Sequence, residues 1–261
     1  MSGTFIAQVV SESVFLMFMA PAAAGVVFVL ILATILDDRR QSPDYRPPLY
    51  TLREFLGSFW VNPVRHPDFG WAWLSRFLLN MAVAMLVTYN VFYLIDHLGM
   101  SQERVPRLIF ITTLVLNVGL VVFGVVSGWL SDLVGGRRKV FIMSSAVVFG
   151  VGTVIIAFTR SFYTLLVGVA ICGIGIGIYL AVDLALVTQV LPNPDDASKD
   201  LGVFNIANTL PQSLAPAIAP VFLAIPFVAG GKGDNYTALY LAAAMFAIAG
   251  ALAILPVKGA R

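Results

Sequence analysis

Seven long apolar runs, separated by polar breaks, constrain this chain more than any other feature. They fall at about Ser13–Leu36, Trp71–Ile95, Leu108–Leu130, Val140–Thr159, Phe162–Leu191, Leu201–Val228 and Tyr236–Val257. About 20 apolar residues in a helix cover the roughly 30 Å hydrocarbon layer of a bilayer. In lipid each backbone N–H and C=O must be bonded within the protein, so each run is predicted to be a helix. Composition agrees: 59% of the 261 residues are hydrophobic and 11% charged, with mean hydropathy +0.90, whereas a soluble domain carries about 25% charged residues. The expected fold class is all-α, a polytopic membrane bundle of about seven transmembrane helices.

Basic residues orient the bundle. With the loop after the first span placed inside, twelve of the 16 Lys and Arg residues fall on the inner side and four (Arg104, Arg107, Arg160 and Lys232) on the outer. The positive-inside rule then predicts a multi-pass protein of the cell membrane, N-terminus outside and C-terminus cytoplasmic. A formal charge of +2 gives no reason to expect nucleic acid as a partner. The single cysteine, Cys172, lies in an apolar run and excludes a disulfide framework. Residues Met1–Glu12 carry no basic residue and do not read as a secretory signal.

The most specific segment joins the third and fourth runs: Gly128-Trp-Leu-Ser-Asp132-Leu-Val-Gly135-Gly136-Arg137-Arg138-Lys139. A turn this short forces its flanking spans into an antiparallel hairpin and holds its charges at headgroup level. A Gly, an Asp four residues on, then Gly followed by basic residues resembles the loop signature of major facilitator superfamily transporters. That resemblance implies twelve helices in two six-helix halves joined by a long cytoplasmic loop, with the signature between the second and third helices of each half. On that pattern residues 1–36 look like the last helix of an N-terminal half. Residues 37–70 look like the central loop, and residues 71–261 like a six-helix C-terminal half. The expectation is therefore a half plus one helix, an incomplete chain. Within the loop, Thr51-Leu-Arg-Glu54 reads as a capping box, and Leu52, Phe55, Leu56 and Phe59 recur at helical spacing. This segment is either a short amphipathic helix on the inner membrane face or a loop packed on the bundle end.

The resemblance also implies roles. Gly128, Asp132, Gly135, Gly136, Arg137 and Arg138 would form a cytoplasmic gate that latches one of two states. Asp183, the one acidic residue well inside a span, must face the bundle interior and needs a partner. It is expected to pair with Arg137 or Arg138 as a gate partner, to serve as a proton or substrate site, or to be a structural residue satisfied by neighbouring polar groups. Asn205, Asn208, Thr209 and Gln212 share a helix face, at i, i+3, i+4 and i+7. They read either as a transport path or as hydrogen-bonding glue between helices. Pro211, Pro216 and Pro220 predict a bent helix there. Asn90 and Tyr93 are further candidate path contacts, with an interfacial role the alternative for Tyr93 and His97. Arg76 is expected to snorkel to the inner surface. Gly173-Ile-Gly-Ile-Gly177 lacks the preceding strand of a nucleotide loop and reads as small-residue helix packing. Asn235-Tyr236-Thr237 fits a glycosylation sequon but abuts a span.

The function these features support is secondary active transport of a small solute by alternating access, as a symporter or antiporter. The alternative is a transport-inactive half-transporter or membrane interaction protein. Expected partners are a small-molecule substrate, a coupling proton or cation, the lipid bilayer, and a second half-transporter or a second copy through self-association. No nucleophile–base pair or metal-ligand cluster is evident, so no enzyme activity, catalytic residue, metal or cofactor is expected. A retinal photoreceptor is excluded, because the lysines (Lys139, Lys199, Lys232 and Lys258) all fall in loops.

Overall fold

The computed structural model describes residues 14–36, 51, 61–133, 138–190, 197–225 and 235–258. Among the described residues the regular structure is helical, with no strand: α1 (Val14–Ile35), α2 (Pro67–Phe92), α3 (Val105–Leu133), α4 (Arg138–Phe158), α5 (Phe162–Val190), α6 (Ala197–Leu223) and α7 (Tyr236–Ala253). The capping-box segment, at residues 52–60, lies outside the described residues. The chain divides into two compact units, Met1–Leu56 and Gly57–Arg261. The first contains α1, 22 residues with Pro21 inside, and the second contains α2 to α7.

Each predicted run coincides with a helix, although the boundaries shift. The second begins at Pro67 rather than Trp71, because Pro67 supplies a helix-compatible φ at the first helical positions and Asp68 sits at the positive end of the helix dipole. Among the described residues, five helices are long and apolar enough to cross a membrane: α2 with its extension, α3, α4, α5 and α7. That is fewer than the seven expected spans. The described apolar stretch of the first is Pro21–Ile35. The 27-residue α6 has the length, but its amide stripe and three prolines dilute its hydropathy.

In the larger unit α5 packs between α3 and α4, α7 between α4 and α2, and α2 between α7 and α6. Small residues let these helices approach closely. A Cβ on Gly173 would run into the Leu116 carbonyl of α3, and one on Gly177 would stand 2.9 Å from Gly124 N. On the other side of α5, a Cβ on Gly175 would lie 2.8 Å from Phe149 N of α4. The Gly173–Gly177 run is therefore a two-sided packing surface. Ser75 Oγ donates to Gly250 O at 2.7 Å between α2 and α7, and Trp73 Nε1 to Val203 O at 3.0 Å between α2 and α6.

The far end of α2 unwinds through a π turn, Tyr93–His97, in which Leu98 N donates to Tyr93 O at 3.1 Å. Gly99 then takes φ +64 and ends the helix. Asn235 caps α7: its side chain accepts from Ala238 N at 2.9 Å and donates to Ile225 O at 3.2 Å. The sequon asparagine is thus a buried helix cap with its amide committed.

Candidate functional site

Two charges meet inside the bundle. Arg76 Nη1 on α2 lies 2.8 Å from Asp183 Oδ2 on α5, with 16% and 8% of the two side chains exposed. Tyr179, one turn before Asp183 on the same helix, donates its hydroxyl to Asp183 Oδ1 at 2.6 Å. Both carboxylate oxygens are therefore engaged by strong donors. The guanidinium carbon also sits 4.8 Å from the ring centroid of Phe204 on α6, a cation–π contact. Phe69 meets that same ring edge-on at 5.6 Å. One arginine thus ties α2, α5 and α6 together. Its Nε is buried and has no hydrogen-bond partner among the described residues.

This arrangement corrects two expectations. The partner of Asp183 is Arg76, not Arg138. Arg76 does not snorkel outward, because a carboxylate and an aromatic face within reach hold it inside. Arg138 instead donates Nη1 to the backbone carbonyl of Ala185, two residues beyond Asp183. That bond joins the start of α4 to the end of α5.

Of the other gate-loop residues, Gly128 lies in α3 facing α5, where a Cβ would stand 4.0 Å from Ala181 Cβ. Asp132 occupies the last turn of α3, described for its backbone alone. Gly135, Gly136 and Arg137 lie outside the described residues. Residues 134–137, which separate α3 from α4, lie outside the described residues.

The two faces of α6 differ in exposure. Phe204, Ala207, Pro211, Ala215 and Ala219 are buried, while Asn205, Asn208, Thr209 and Gln212 are exposed. None of these four side chains bonds a described residue of another helix; Thr209 Oγ1 donates to Asn205 O at 3.4 Å within α6. The prolines are absorbed without interrupting the helix. Pro220 has no N–H to give Pro216 O, and Tyr89 Oη of α2 donates to that carbonyl instead, at 3.4 Å.

The outer end of α2 divides by face. Asn90 Nδ2 donates to Thr112 Oγ1 of α3 at 3.1 Å and is partly buried. Tyr93 is fully buried, its hydroxyl donating to Ile156 O at 2.7 Å. Its ring stacks on His97 at 4.7 Å and meets Tyr240 edge-on at 5.1 Å. Tyr93 is therefore an anchor among α2, α4 and α7, which corrects its expected place on a path; it continues the buried face of α2 that carries Leu79, Ala82 and Leu86. His97 Nε2 lies 3.2 Å from Thr159 O, and Tyr236 donates to Asp96 Oδ2 at 2.8 Å. Sequence reasoning missed Arg76 and Tyr179 as site residues. The signals were there: an intramembrane arginine at matching depth, and a tyrosine at i−4 from the intramembrane carboxylate.

Among the described residues no group of three or more His, Cys, Asp or Glu could hold a metal ion. The model of the Major Facilitator Superfamily matches the chain over residues 1–216 and 110–260. No curated protein matches it.

Proposed function

The chain belongs to the major facilitator superfamily of membrane transporters, and from that premise we propose that it is a secondary active transporter of a small solute, working by alternating access. The observation that carries this reading is the two-faced α6. Its small, buried residues hold it to its neighbours, while Asn205, Asn208, Thr209 and Gln212 point away from them. Amides and a hydroxyl in contact with lipid would be costly, so this face borders a water-filled path. Helices α2 to α7 then form one six-helix half, and the stripe faces the opposite half. That opposite half is either another part of a longer chain or a second copy.

The family's gate role is proposed for Gly128, Asp132, Gly135, Gly136, Arg137 and Arg138, with the Arg138–Ala185 bond as one contact of the latch. Asp183 and Arg76 act as the charged element that couples α2, α5 and α6. The N-terminus outside and C-terminus inside follow from the basic-residue count.

Cysteine labelling tests the path. Cys172 is the only cysteine and is fully buried, so it leaves a quiet background. In membranes, a water-soluble maleimide should label Asn208→Cys and leave Val125→Cys, on the apolar exposed face of α3, largely unmodified. Equal protection of both positions would remove the path. A labelled stripe in a protein that moves no solute would favour the transport-inactive alternative.

A further inference from the structure

We propose that an anionic phospholipid seats an acyl chain in an apolar cavity between α2 and α6, with its phosphate at Arg65 and Lys199. The cavity holds about 320 Å³, within the range of about 300–1,000 Å³ typical of small-molecule sites. Val61, Pro63, Phe69, Trp73, Val203 and Ile206 line it. Of these side chains the Trp73 indole alone carries a polar atom, and its Nε1 already donates to Val203 O at 3.0 Å. What enters is therefore hydrocarbon, because a polar group would leave water there without gaining a side-chain partner. The depth suits a chain just below the headgroups. Trp73 and Val203 are each the seventh residue of their helix, roughly 9 Å from its start at helical rise.

Helix periodicity turns the cavity toward lipid. Phe69 and Trp73 share a face of α2 with Val87 and Val91, about five turns further on, and those valines are exposed. On α6 the face of Val203 runs on through Leu210 and Val221, both apolar and exposed. That is a different side of α6 from the amide stripe, so the site stands apart from the proposed path.

Charge selects the lipid. Arg65 follows the lining Pro63 by two residues, and Lys199 precedes Val203 by one turn. Both are exposed, and neither forms an ion pair among the described residues. The carboxylates at this end are turned into the protein: Asp68 accepts from Lys258 N at 3.0 Å, and Asp200 is buried. Val64, between Pro63 and Arg65, is 87% exposed, an apolar side chain offered to the bilayer beside a cation. Basic side chains at a cleft between membrane helices favour anionic headgroups, which are plentiful in the inner leaflet, the side on which the basic-residue count places this end.

The test is quenching of Trp73 fluorescence by phospholipids brominated on one acyl chain. It uses the full chain in phosphatidylcholine vesicles, with the other tryptophans, Trp60, Trp71 and Trp129, replaced by Phe. Brominated phosphatidylglycerol should half-quench at a mole fraction at least about fivefold below that of brominated phosphatidylcholine, fivefold being the worth of one cation near a lipid surface. Arg65→Ala combined with Lys199→Ala should abolish that preference and leave the melting temperature unchanged. Ile206→Phe, which fills the cavity, should weaken quenching by both lipids. Leu210→Phe, on the same apolar face outside the cavity, should not. Equal quenching by the two lipids, a preference that survives the paired charge substitution, or quenching indifferent to Ile206→Phe would overturn the proposal. So would quenching by neither lipid, the outcome if residues 52–60 of the chain itself fill the cavity.

Discussion

A guanidinium and a carboxylate 2.8 Å apart, well inside their helices, depend on each other. Removing one leaves the other charged, buried and alone, which costs about 3–5 kcal/mol, whereas removing both costs far less. Arg76→Gln and Asp183→Asn should each lower the melting temperature sharply, and the double variant should recover much of the loss. Additive losses in thermal unfolding would mean that the two charges act independently. The hydroxyl of Tyr93 is a different case, because it bonds a buried backbone carbonyl. Tyr93→Phe should cost about 1 kcal/mol of stability and leave any transport rate unchanged, since the side chain is enclosed; a selective loss of transport would put it back on the path. The Arg76–Asp183 pair was partly legible beforehand. Arg76 is nine residues into α2, and Asp183 seven residues before the end of α5, depths of roughly 13 and 10 Å at helical rise. Both ends belong to the expected cytoplasmic side. Reading Arg76 alone gives a snorkelling cation; reading it against Asp183 gives an ion pair.

At the scale of the element, glycine placement decides how near the helices come. α5 presents Gly173 and Gly177 to α3, and Gly175 to α4, so its neighbours rest almost on its backbone. Gly177→Val should force α3 and α5 apart and destabilise the unit by about 1–3 kcal/mol or more. Gly202→Ala is the contrast, because nothing lies within 4 Å of where its Cβ would be. That substitution should be neutral or stabilising by about 0.5–1 kcal/mol, by restricting the unfolded chain. Chemical or thermal unfolding of the two variants reads the difference directly; equal effects would remove close packing as the cause. Helix positions were legible from the apolar runs, and the amide stripe of α6 from its spacing. Periodicity alone does not say which face of α6 is inward. The deciding residues are Ala207, Pro211, Ala215 and Ala219, a strip of compact side chains along which α6 can pack closely. The π turn at Tyr93–His97 had no such signal. It begins at Tyr93, whose hydroxyl bonds Ile156 O and Thr159 O, tertiary contacts that no local pattern announces.

At the scale of the whole molecule, the family match gives a membrane transporter, and the proposal adds a path along α6 that opens alternately to the two sides. Asn208 lies eleven residues into α6, roughly 16 Å along the helix and near its midpoint. A fixed funnel would expose that position to one side only, whereas a rocking carrier exposes it to each in turn. The most direct test is to label Asn208→Cys with a membrane-impermeant maleimide, added to whole cells in one sample and to inverted membrane vesicles in another. Alternating access predicts labelling in both, with Val125→Cys protected in both; labelling of Asn208→Cys from one side alone, or from neither, would contradict it.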